Sequence, residues 1–168
     1  RGVASRENYD RRIYAKTASL FELATTSGAL LSLADESIVE NARCFGNALG
    51  MAFQIVDDVL DFTGDQSTVG KPVASDLRQG LITLPALYYL EAYPNDPDME
   101  QLMRGALGGD AVISRLVSAI RLSGAIQKSL NEAQNYIEQG LEILKLFPDN
   151  PQRHALEELA RYVVKRDL

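Results

Sequence analysis

A chain of 168 residues, 46% hydrophobic and 24% charged, with six prolines and twelve glycines, has the make-up of one globular domain with a core and not of a disordered or fibrous protein. One cysteine, Cys44, excludes an internal disulfide, and one histidine, His154, excludes a histidine-rich zinc or iron site, so any metal is expected on oxygen ligands. Twenty-three acidic against seventeen basic side chains give a net charge of −6, which argues against a nucleic-acid surface. No apolar run approaches the ~18 residues of a membrane helix and no leader pattern is seen, so no membrane span and a cytoplasmic location are expected.

Apolar residues recur at helical spacing almost throughout and strand-like alternation is absent, so the expected fold is all-α, as a single domain over residues 1–168. The first helical region starts at a Ser5 N-cap and carries Ile13, Leu20, Leu23, Leu30 and Leu31 to about Leu33, with a bend expected near Lys16 and Thr17. A second runs from after Asp35 through Phe45, Leu49, Phe53, Val56 and Leu60 to a stop at Gly64. At 1.5 Å per residue it is ~40 Å long. Residues 65–80, with Gly70, Lys71, Pro72 and Gly80, read as a loop with room for one short helical turn. Helices then follow from Thr83, with Pro85 in the first turn, to Tyr93; from Asp98 to Leu107; from Asp110 to Leu122; from Ala125 to Phe147; and from Pro151 to Lys165, capped by Asn150.

The run Phe53-Gln54-Ile55-Val56-Asp57-Asp58-Val59-Leu60-Asp61-Phe62 sets three carboxylates into apolar sequence. Asp57 and Asp61 are four apart and Asp58 and Asp61 three apart, so a helix projects them from neighbouring points, with Gln54 one turn earlier. Two carboxylates ~6 Å apart repel by ~3 kcal/mol at an effective dielectric of 20, but by well under ~1 kcal/mol in water. In a crevice that repulsion has to be offset by protonation, by cationic side chains or by a hard cation such as Mg²⁺. An EF-hand is a poor alternative because its ligands alternate along a loop. Taken alone, the spacing is a weak signal that better fits a solvated stripe at a helix end, while Lys71 fits an exposed loop lysine as well, and Lys16-Thr17 a snorkelling lysine beside an ordinary helix threonine.

Several ordered motifs together resemble the C-terminal half of the all-trans polyprenyl diphosphate synthases, the family of farnesyl, geranylgeranyl and longer-chain synthases. The second aspartate-rich motif is matched by residues 50–62, the lysine-threonine motif by Tyr14-Ala15-Lys16-Thr17-Ala18-Ser19-Leu20-Phe21, and the segment that follows by Gly70-Lys71-Pro72, Asp76-Leu77-Arg78-Gln79-Gly80 and Thr83-Leu84-Pro85. The resemblance implies a helical bundle of the isoprenoid synthase type with an apolar cavity. It also implies Mg²⁺-dependent condensation of isopentenyl diphosphate with an allylic diphosphate. By matching position, Asp57, Asp58 and Asp61 would form a metal cluster, Lys16 and Lys71 would bind the allylic diphosphate, Thr17 and Gln54 would lie close to the reacting groups, and Phe53 near the homoallylic substrate. One departure is Leu81, where many members carry lysine.

Ionisation of an allylic diphosphate separates a carbocation from pyrophosphate, so the leaving group needs cations while apolar walls keep water from the carbocation. A histidine base is not required, which agrees with a single, distant His154. A first aspartate-rich motif is missing, and none fits ahead of Lys16. The chain is therefore expected to be inactive alone and to need the missing N-terminal half or a homodimer partner. Two other readings stay open: a noncatalytic subunit that pairs with a complete prenyltransferase, and a terpene cyclase-like fragment.

Overall fold

A computed structural model describes residues 4–64, 73–105 and 109–165, and every regular element among them is helical. The order is α1 (Arg6–Ile13), a π-helical segment (Tyr14–Ala18), α2 (Ser19–Leu31), α3 (Glu36–Thr63), α4 (Ser75–Arg78), α5 (Leu84–Ala92), α6 (Pro97–Met103), α7 (Asp110–Leu122), α8 (Ala125–Leu144) and α9 (Pro151–Val163). The starts follow local chemistry. Ser5 Oγ accepts from the Asn8 amide at 3.3 Å, Asp96 Oδ1 from the Met99 amide at 2.8 Å and Asn150 Oδ1 from the Arg153 amide at 2.9 Å. Pro97 and Pro151 sit in first turns, where a missing N–H costs nothing. Among the described residues no helix is long and apolar enough to cross a membrane.

Two compact units can be distinguished, Arg1–Tyr9 with Asp57–Leu130 and Asp10–Val56 with Asn131–Leu168. The first has a core in which Phe62, Leu77, Tyr89, Met99, Leu116 and Ile120 are all buried. In it the guanidinium of Arg121 donates from Nε (2.7 Å) and Nη2 to the Phe62 carbonyl, satisfying a carbonyl in the last turn of α3 with a cation where the helix dipole favours one.

In the second unit α2 lies against α3 at very short range. A Cβ at Gly46 would stand 2.6 Å from the Phe21 carbonyl oxygen, and one at Gly50 would stand 2.5 Å from Ala18 Cα. Only glycine permits this approach. Glu22, on the same side of α2, accepts from Arg43 at 3.2 Å and Asn47 at 3.0 Å. The opposite side of α2 carries Leu20, Leu23, Leu30 and Leu31 within an arc of about 100°. These leucines are 64%, 61%, 57% and 85% exposed, and no residue of α2 is buried.

Candidate active site

The expected bend at Lys16 and Thr17 is a π-helical segment, in which the Ser19 amide bonds to the Tyr14 carbonyl five residues back. Such a bulge turns a side chain out of the regular helical register. Ala18, fully buried, is the residue seated on Gly50. That contact brings Thr17 to α3, where its hydroxyl donates to Gln54 Oε1 at 2.6 Å. Gln54 is 2% exposed, whereas Lys16 is exposed. Phe53 is half-buried and its ring lies 5.4 Å from that of Phe21, tilted by 40°. One unit therefore holds a cation, a hydroxyl–amide pair and an aromatic pair drawn from the lysine-threonine motif and from the first part of the aspartate-rich motif.

The three aspartates belong to the other unit and have different surroundings. Asp57 is exposed. Asp58 is 3% exposed and its Oδ2 accepts from the hydroxyl of Tyr9, itself buried, at 2.8 Å. Asp61 accepts through Oδ1 from the Ser75 amide at 3.0 Å and through Oδ2 from the Asp76 amide at 3.1 Å. Among the described residues no three His, Cys, Asp or Glu side chains come together as a metal-holding group. A hard cation of the Mg²⁺ type asks for less. It binds through one or two carboxylates and completes its octahedron with water and phosphate oxygens. An exposed carboxylate at Asp57 fits that donor set.

Lys71, with Gly70 and Pro72, lies outside the described residues. Leu81 is 38% exposed and its amide bonds to the Asp76 carbonyl at 2.9 Å. His154 pairs with Asp149 at 2.7 Å, on the α9 side of the chain. Tyr9 and Phe21 were not singled out as site residues by sequence. Phe21 closes the lysine-threonine motif and so carried a signal, but Tyr9 is 49 residues from Asp58 and carried none.

Residues 2–120 match the polyprenyl synthetase family. This chain belongs to that family. Heptaprenyl diphosphate synthase component 2 of Geobacillus stearothermophilus is 41% identical over 162 residues, a match covering 95% of the chain and 49% of the relative. The crystal structure of heptaprenyl diphosphate synthase from Staphylococcus aureus superposes with a TM-score of 0.92 at 32% identity, over 99% of the chain and 52% of that structure. A polyprenyl synthase from Caulobacter crescentus CB15, crystallised with calcium and isoprenyl diphosphate, gives 0.90 at 36% identity, over 98% and 51%. This member of the polyprenyl synthetase family thus spans about half the length of its relatives, and its all-α fold is that of isoprenoid synthases, as expected for a C-terminal portion.

Proposed function

We propose that this chain supplies the lysine-threonine and second aspartate-rich motifs of a Mg²⁺-dependent trans-prenyltransferase that joins isopentenyl diphosphate to an allylic diphosphate, and that it turns over substrate only with the other half of the fold present. The carrying observation is the 2.6 Å bond from Thr17 to the buried Gln54. A solvated lysine-threonine pair has no reason to bend a helix around a buried glutamine. Lys16 and Lys71 bind the allylic diphosphate, and Lys16 is exposed as that role needs. Thr17 fixes the orientation of the Gln54 amide, so that its NH₂ is presented as a donor at one set position. Phe53 and Phe21 wall the neighbouring space with apolar surface that resists water and favours a passing carbocation. Asp57, with Asp58 behind it, is the carboxylate placed to hold the cation. Mg²⁺, when bound, supplies the positive charge that stabilises departing pyrophosphate. The calcium and isoprenyl diphosphate named for the Caulobacter crescentus structure support a divalent cation and this class of substrate.

One observation supports the need for a partner half: the chain spans about half of the G. stearothermophilus relative and of the S. aureus structure. The occupant proposed for the exposed leucine side of α2 is the helical half of the family fold that the chain does not span, since an apolar stripe of this width is what a helix seam presents. The test is binding. With the other half present, an allylic diphosphate should bind in a Mg²⁺-dependent way, and Lys16→Ala should weaken that binding at least tenfold. Binding unaffected by Lys16→Ala would return Lys16 to the reading of a snorkelling lysine.

A further inference from the structure

We infer that Asp61 is a positioning residue, a clamp on the backbone that follows the second aspartate-rich motif, and not a direct ligand of the cation. Three of its oxygens hold three successive amides. Its carbonyl accepts from Ala74 at 2.7 Å, Oδ1 from Ser75 at 3.0 Å and Oδ2 from Asp76 at 3.1 Å. Both carboxylate oxygens are thereby engaged by one stretch of main chain.

The clamped stretch needs outside help. Ala74 is completely buried with φ 56°, a left-handed conformation that residues other than glycine rarely adopt. It stands at the N-cap of α4, where an alanine has no oxygen to offer the first-turn amides, and no side chain of the cap residue does so. Asp61 supplies the missing acceptor from fourteen residues away. Beyond the clamp the segment ties back on itself. Arg78 Nε donates to the Val73 carbonyl at 3.1 Å, and the Leu81 amide to the Asp76 carbonyl at 2.9 Å. One aspartate thus fixes to α3 a stretch that begins three residues after Lys71. A carboxylate offers two separate oxygens to two amides, where an amide or hydroxyl side chain offers one.

The clamp stands on geometry alone, and its catalytic consequence rests on the function proposed above. Amide exchange of the chain, followed residue by residue, tests the clamp without any turnover. Asp61→Ala should speed exchange at both Ser75 and Asp76 at least tenfold. Asp61→Asn keeps one acceptor and turns an NH₂ against the other amide, so it should speed exchange at one of the two. Asp57→Ala should leave both slow. In the assembled enzyme, Asp61→Asn should raise KM for the allylic diphosphate severalfold while the half-saturating Mg²⁺ concentration stays within twofold. Unchanged exchange at Ser75 and Asp76 in Asp61→Ala overturns the clamp, as does a tenfold or greater rise in half-saturating Mg²⁺ in Asp61→Asn. If the assembled enzyme proves inactive, the proposed function fails while the exchange data still decide the clamp.

Discussion

Replacing Gly50 by alanine should destabilise the protein, although alanine is the better helix former. The Cβ would stand 2.5 Å from Ala18 Cα, 3.0 Å from Ala18 Cβ and 3.1 Å from Phe21 Cβ. Relief requires the π segment to move by roughly 1 Å, because the nearest atom is backbone and cannot rotate away. Overpacking of this kind costs about 1–3 kcal/mol, and rigid backbone puts the cost near the top of that range. Helix propensity returns about 1 kcal/mol, leaving a net loss of about 1–2 kcal/mol. Gly28, with nothing within 4 Å of its Cβ position, is the internal control, and there alanine should gain about 0.5–1 kcal/mol. Urea unfolding followed by circular dichroism separates the two. The movement also carries Thr17 away from Gln54, so in the assembled enzyme Gly50→Ala should lose turnover and Gly28→Ala should not. A stabilised Gly50→Ala, matching Gly28→Ala, would refute the close-approach argument and with it the account of how Thr17 reaches α3.

Thr17→Val should lower stability by about 1–3 kcal/mol, by leaving the buried Gln54 Oε1 without this donor, and lower turnover tenfold or more, whereas Thr17→Ser should retain both. Tyr9→Phe should cost about 1.5–3 kcal/mol in urea unfolding because the hydroxyl serves a buried carboxylate. Asp57→Ala should cut Mg²⁺-dependent turnover of the assembled enzyme while helix content holds and stability is unchanged or slightly raised, since a like charge is removed next to Asp58 and Asp61. Burial and the bond to Asp96 push the Tyr89 hydroxyl up from 10.0 to about 12. The folded state therefore favours the neutral phenol, and the stabilisation is fully present below pH 10 and is lost as pH rises toward 12. The stability difference between wild type and Tyr89→Phe should be flat below pH 10 and shrink above it.

Much of this architecture was legible in the sequence because the signals were local. Asp35 and Gly64 flank α3, which runs Glu36–Thr63, and the polar Lys16-Thr17 break in an apolar stretch marked a departure from regular helix. Ends that depend on turn geometry were placed less well. The sixth helix stops at Met103 instead of Leu107, because Gly105 takes φ 77° and ends the helix while the apolar period runs on. The eighth stops at Leu144 instead of Phe147: Lys145, Leu146 and Phe147 bond to carbonyls three residues back, so the chain continues to wind but in a tighter turn. The site shows the same division. Spacing placed three aspartates on neighbouring points of one helix, yet it carried no information on Tyr9 or on the Ser75 and Asp76 amides, which take up Asp58 and Asp61 from 49, 14 and 15 residues away. Equal residues in a motif thus have unequal surroundings, and only their partners tell them apart.

The proposed role as one half of a prenyl-transferring enzyme is tested most directly by incorporation of labelled isopentenyl diphosphate into longer prenyl diphosphates. The assay compares the purified chain alone, the chain combined with the half of the family fold it does not span, and the same combination carrying Asp57→Ala. Product is expected from the combination only, dependent on Mg²⁺ and strongly reduced by Asp57→Ala. Product from the chain alone would contradict the proposed role, as would a combination that binds tightly and yields none.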